Sequence, residues 1–98
     1  MPPQTSNLTF TTTSSKSKNI SSSGLIYSGR GVVVGVVINS HSSGTLLLSD
    51  SLTTNTPIIF NTISFAVGEH YINLFGATFN TGLYATIGGT ADLTVCYN

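Results

Sequence analysis

The stretch Gly31-Val-Val-Val-Gly-Val-Val-Ile38 is apolar at every position, so neither of its alternating faces is left for water. A β-strand with two apolar faces is central in a sheet or covered by another layer. Branched Val and Ile side chains suit a pleated, buried surface and lose rotamer freedom in a helix. Gly35, in mid-strand, marks a bulge, a bend or the close approach of another backbone. Val32, Val34, Val36 and Ile38 form the face expected to meet an opposing sheet. Val33, Gly35 and Val37 form the other, and a domain this small has no third layer for them. Their cover is expected from a neighbouring subunit or from an N-terminal arm.

Downstream of this stretch the pattern stays β. Ser40–Gly44 reads as a loop and Thr45–Ser49 as an antiparallel partner of the Val-rich strand. Ile58–Phe65 reads as a further strand, with Pro57 at its start. His70–Leu74 alternates, and Phe75–Phe79 reads as a connection with aromatic anchors. The C-terminal region reads as a hairpin. Leu83, Ala85 and Ile87 alternate with polar residues, Gly88-Gly89 supplies the positive φ of a tight turn, and Leu93, Val95 and Tyr97 alternate on the return. Upstream, Leu25–Tyr27 is a short strand. About seven strands with regular turn signals and no helical period indicate an all-β, antiparallel β-sandwich, jelly-roll or Ig-like. This domain spans residues 24–98.

Residues 1–23 differ in composition. Ser and Thr dominate, interrupted by Leu8, Phe10, Lys16, Lys18 and Ile20. Leu8-Thr9-Phe10-Thr11 alternates and suits strand addition to a sheet edge. The segment is expected to act as an extended arm that pairs with a neighbouring subunit.

Only 6% of the 98 residues are charged and the formal net charge is zero, against about a quarter charged in an average soluble domain. Such a surface has little electrostatic defence against association, which points to a homo-oligomer or a larger assembly. Three basic residues cannot form the positive stripe that nucleic-acid backbones require. No apolar run is long enough to span a bilayer as a helix, and no secretory signal is visible. The single Cys96 has no internal disulfide partner and reads as a small buried hydrophobe. Synthesis in a reducing cytoplasm follows.

Catalytic chemistry is not recognisable. His70 stands beside Glu69, but neighbours on a strand point to opposite faces and share a metal badly. A Ser42–His41–Asp triad is a coincidence that abundant serine makes common, and no strained nucleophile turn accompanies it. Asp50 and Asp92 fit turn chemistry. No enzyme activity, cofactor or metal is expected. Tyr27, Tyr71, Tyr84 and Tyr97 offer rings that stack on sugars, which keeps a glycan-binding or fibre-associated host-attachment domain as the alternative.

The run Phe79-Asn-Thr-Gly-Leu-Tyr-Ala-Thr-Ile-Gly-Gly-Thr-Ala-Asp-Leu-Thr-Val95 resembles the end of small tailed-bacteriophage virion proteins. The Val-rich strand, the Ser/Gly loop and the aliphatic strand closing in Ser49-Asp50 are similar to them as well. Thr81-Gly-Leu-Tyr-Ala85 with the following Gly-Thr-Ala-Asp is the strongest piece, and the similarity covers residues 24–98. The resemblance implies a structural decoration or cement protein on the capsid exterior. Such a protein is often a homotrimer and bridges subunits of the major capsid protein, without contacting nucleic acid or membrane directly. The residues expected to bind partners are Leu8, Phe10 and Ile20 in the arm, Val33, Gly35 and Val37 in the Val-rich strand, His41 in the loop, and Tyr84.

Overall fold

The computed structural model describes residues 16–66, 68 and 70–98. Among these residues six strands occur in the order β1 (Lys16–Ile20), β2 (Gly24–Ser28), β3 (Gly31–Ser49), β4 (Ile58–Ser64), β5 (Tyr71–Phe79) and β6 (Gly82–Tyr97). All pair antiparallel within one hydrogen-bonded sheet that does not close. No helix is present among the described residues.

The sheet is built on two long strands. β3 pairs with β6 from Val33 opposite Tyr97 to Ser49 opposite Tyr84. The shorter strands line the outsides of this pair. Beside β6 run β1, next to Leu93–Tyr97, and β2, next to Gly82–Ala85. Beside β3 run β5, next to Gly31–Val37, and β4, next to Thr45–Ser49. Each end of the sheet is thus four strands wide, while its middle is only β3 and β6.

That middle bends sharply. Tyr27 on β2 pairs with Leu83, which lies fourteen residues before Tyr97 in the chain. A straight strand would separate those two positions by about 46 Å. The Tyr27 and Tyr97 ring centroids are instead 5.3 Å apart, so the two ends of β6 are brought together. Two short links agree. Gly29-Arg30 carries the chain from β2 to β3, and Asn80-Thr81 from β5 to β6. Each link joins opposite ends of the sheet in three Cα steps, at most about 11 Å, close to the usual ~10 Å between packed layers. The sheet is folded back on itself around one core.

The core draws on both ends, with Val33, Val36 and Ile38 meeting Leu46, Leu48, Leu83, Ala85, Leu93 and Val95. Phe79 and Leu74 come from β5, and Ile26 from β2. Ile20 on β1 is also part of this core, so the end of the Ser/Thr-rich segment belongs to the domain's own sheet. Leu8 and Phe10 lie outside the described residues.

Several expectations are corrected here. Residues 40–44 do not end a strand, and Thr45–Ser49 is not the partner of the Val-rich stretch. Both belong to β3, which turns the corner by register shifts after Ile38 and after Ser42, with Ser43 at φ 53°. Bulges bend a strand without ending its pairing. Gly88-Gly89 likewise is no hairpin turn but the corner of β6, with Gly89 at φ 67°. A Cβ on Gly89 would run into the Ser43 carbonyl, and one on Gly88 into Thr45 Oγ1. The glycines let two backbones bend in contact. Phe75–Phe79 is also strand rather than connection. Fusing these pieces leaves six strands among the described residues.

The two faces of the Val-rich stretch change as well. Val33 pairs with Tyr97 and Gly35 with Cys96, leaving Val34 as an extra residue. This bulge flips the phase, so that Val33, Val36 and Ile38 enter the core together. Val33 therefore needs no neighbouring subunit to cover it. Gly35 is covered within the chain, since a Cβ there would overlap the Tyr71 hydroxyl and ring. An aromatic lying over a cross-strand glycine is a known way to close such a gap.

Two outcomes follow. Gly89→Ala should destabilise the fold by about 2 kcal/mol, because it adds both a left-handed penalty and a backbone clash. Gly24→Ala, where a Cβ meets nothing, should stay within about 0.5 kcal/mol of the parent. Urea unfolding distinguishes them, and equal midpoints would contradict the corner assignment. Ile20→Ala should cost about 2–4 kcal/mol as a core truncation, whereas an Ile20 that served only a neighbouring molecule would leave monomer stability unchanged.

Candidate docking face

Alternation along β6 sends Leu83 and Ala85 inward and places Tyr84 and Thr86 on the outer side. The register aligns one row across this end of the sheet. Leu25 stands opposite Tyr84, Tyr84 opposite Ser49, and Ser49 opposite Ile58. In the next row Leu47 faces Thr86. Ile58 is 48% exposed, and Leu52, from the following loop, is 41% exposed. Leu52 rests beside Gly82, where a Cβ would come within 2.8 Å of its Cδ2. None of these residues carries a charge. The result is an uncharged surface of Leu, Ile, Tyr and Thr, half-buried except at Ile58 and Leu52, with Ser49 itself fully buried.

The loop after β3 is held firmly against this end. The buried Ser49 hydroxyl donates to the Thr54 carbonyl at 2.7 Å. Ser51 Oγ accepts from the amides of Thr53 and Thr54 at 3.2 and 3.0 Å, the local bonding that gives serine its turn preference. The Asp50 carboxylate accepts from the backbone N–H groups of Asn80, Thr81 and Gly82 at 3.0, 2.7 and 3.2 Å. Those amides, the Thr81 bond first, hold its pKa below the ordinary 3.8. Asp50 thus pins the link from β5 to β6 in place.

Asp92 fastens the other end near the corner. It accepts from Asn19 Nδ2 at 2.7 Å and Asn39 Nδ2 at 3.1 Å, and these bonds lower its pKa, Asn19 foremost. The Asn19 amide donates as well to the Leu93 carbonyl. Among the described residues no group of three or more His, Cys, Asp or Glu side chains is placed to hold a metal ion.

The residues expected to bind partners do not gather into one site. Tyr84 sits half-buried in the outer row. Val37 is half-buried on the outer face of the other end, opposite Tyr71 and Thr94. Gly35 lies beneath Tyr71, while Val33 and Ile20 are core residues. His41 is at the corner, its ring edge-on to Phe65 at 5.5 Å. Its Nε2 lies 3.2 Å from the Ala66 carbonyl, which can only accept, so Nε2 carries the hydrogen. Cys96 is half-buried opposite Gly35, not the core hydrophobe its alternation suggested, because Val95 and Tyr97 take the inward phase. Of the four tyrosines, Tyr27 and Tyr97 meet with their rings tilted at 45°, with Lys16 Nζ 4.8 Å above the Tyr27 ring. Ile58 and Leu52 were missed as surface residues. The register of β4 against β3 places Ile58 opposite Ser49 in the Tyr84 row, and the loop after β3 lays Leu52 against Gly82.

The chain was compared with family models, curated proteins and solved structures. None of the three gives a match.

Both aspartates titrate in one direction. Their folded pKa values lie below the unfolded ones, so their contribution to stability is complete above pH 3.8. It disappears as pH falls below that value through the folded pKa. Asp50→Asn should lower stability at pH 7 by about 1 kcal/mol, discounted for solvent exposure, and flatten the decline between pH 5 and 2. An unchanged pH profile of the urea midpoint would remove Asp50 from this role.

Proposed function

We propose that this protein is a structural virion protein, a decoration or cement protein that binds the outer capsid surface and bridges major capsid subunits. The observation that carries the reading is the uncharged outer surface formed by Leu25, Tyr84, Ile58 and Leu52. Cement works by burying surface between subunits that would otherwise separate. Apolar contact with hydroxyl hydrogen bonding accomplishes that without catalytic groups. The resemblance of residues 79–95 to small phage virion proteins supports the same conclusion, as does the scarcity of charge over the whole chain.

The finer architecture belongs to this reading. The folded-back sheet is a small β-sandwich of jelly-roll type, its two layers being the two ends of β3 and β6 with their flanking strands. Such a slab offers two outer faces on one rigid body. One engages the shell and the other is left for solvent or for further copies. Many copies on one shell raise avidity through linked attachment.

Particles assembled from the major capsid protein alone provide the test. The purified full chain should co-sediment with them at saturable stoichiometry. Ile58→Lys, a change at an exposed position, should weaken binding about tenfold or more while leaving the unfolding midpoint in place. Failure of the wild-type chain to bind such shells would overturn the reading. Wild-type binding with undiminished Ile58→Lys binding would move the contact to another face.

A further inference from the structure

At the end of the sheet away from the Tyr84 row, one register row crosses four strands. Tyr71 on β5 stands opposite Val37, Val37 opposite Thr94, and Thr94 opposite Asn19. Val36 and Ile38 on β3, with Leu93 and Val95 on β6, take the inward phase, so this row lies on the outer face. Tyr71 is 45% exposed. Its side chain runs along the sheet, because its hydroxyl and ring tip occupy the space that a Cβ on Gly35 would need. A large ring is thus laid on backbone, with its remaining surface turned to water.

Beside it lies a polar cluster whose amide donors are spent and whose acceptors are open. Asn39 Nδ2 donates to Asp92 Oδ1 and to Thr94 Oγ1, both at 3.1 Å. Asn19 Nδ2 donates to Asp92 Oδ1 at 2.7 Å and to the Leu93 carbonyl at 2.9 Å. A side-chain amide has two N–H donors, so both amides are fully engaged and their Oδ1 atoms are held in fixed directions. Those two oxygens and Asp92 Oδ2 accept no hydrogen bond from the described residues. Asp50 is the contrast, since backbone amides use both of its oxygens.

We infer that this face binds an uncharged carbohydrate, with a sugar ring stacked on Tyr71 and sugar hydroxyls donating to Asp92, Asn19 and Asn39. A pyranose presents C–H groups that pack on an aromatic ring, and hydroxyl donors around its rim. An apolar platform with a few fixed polar groups is the usual make-up of a small-molecule site. Neighbouring strands lie about 4.8 Å apart, which puts Thr94 about 10 Å and Asn19 about 14 Å from Tyr71 across the row. That span suits a short oligosaccharide lying across the strands. Charge selects the class of sugar. Asp92 is negative, and both lysines of β1 are committed elsewhere, Lys16 Nζ over the Tyr27 ring and Lys18 Nζ to the Leu25 carbonyl. A surface of acceptors with one carboxylate repels sialylated and sulfated sugars and favours neutral hydroxyl donors. One carboxylate is also a poor cage for a hard cation, so the contact is direct.

This face is at the other end of the sheet from Ile58 and Tyr84, so the inference stands apart from capsid attachment, and its test uses the full chain without shells. On an array of neutral, sialylated and sulfated glycans, the chain should bind neutral ones alone. Calorimetric titration with the best neutral oligosaccharide should then give a saturable isotherm that EDTA leaves unchanged. Tyr71→Leu still covers Gly35 but removes the ring, and should weaken binding at least about tenfold. Tyr71→Phe keeps the ring and should bind within about threefold of the wild type. Asp92→Asn, which replaces an open acceptor with a donor, should weaken binding about tenfold. Absence of neutral-glycan binding, binding confined to acidic glycans, loss of binding in EDTA, or a Tyr71→Leu variant as tight as the wild type would each overturn the inference.

Discussion

Everything in this fold depends on the unbroken pairing of β3 with β6 around a corner. Strands of this length would give a long, open ribbon with too little to bury against. Folding the ribbon in half makes its inner side a core, and only the two central strands continue through the bend. The flanking strands are interrupted there, between β1 and β2 on one side and between β4 and β5 on the other. Bulges in β3 and the paired Gly88-Gly89 in β6 provide the corner. Asp50 and Asp92 then fasten it at separate points, one at the tip link and one beside the bend.

Composition and alternation in the sequence identified the class correctly, and for a physical reason. Inward residues such as Leu83, Ala85, Leu93 and Val95 repeat with a period of two, and this survives any topology. What the pattern conceals is continuity. A polar, Gly-containing segment looks the same whether it reverses the chain or merely bends it, so Ser40–Gly44 and Gly88-Gly89 read as turns. The difference lies in the partner strand, since each corner is stabilised by the other. The bulge at Val34 is similarly hidden, because an all-apolar run carries no polar residue to reveal a phase change.

The candidate faces were legible only in part. Tyr84 could be singled out from alternation, but its companions Leu25, Ile58 and Leu47 come from three other strands. Their alignment depends on the register that follows from the corner. Phe75 gave no sequence signal, since Phe-Gly in a loop is unremarkable. Its place comes from backbone geometry, with φ 60° at Phe75 and a register shift of β5 against β3 beside it. The expected Val33–Gly35–Val37 face does not exist as one face: Val33 enters the core, and Gly35 lies under Tyr71, two residues out of register on the adjacent strand.

The order of strands along the chain has a kinetic consequence. β6 follows the other described strands in the chain, and it is the centre on which β1, β2 and β3 all pair. Val33 must find Tyr97 across most of the sequence before the core can close. Such long-range pairing slows folding, because chain entropy is lost before contacts repay it. During synthesis, the Val-rich segment therefore emerges and waits without its partner. The dispersed serines and threonines around it keep that waiting chain hydrated until the final strand arrives.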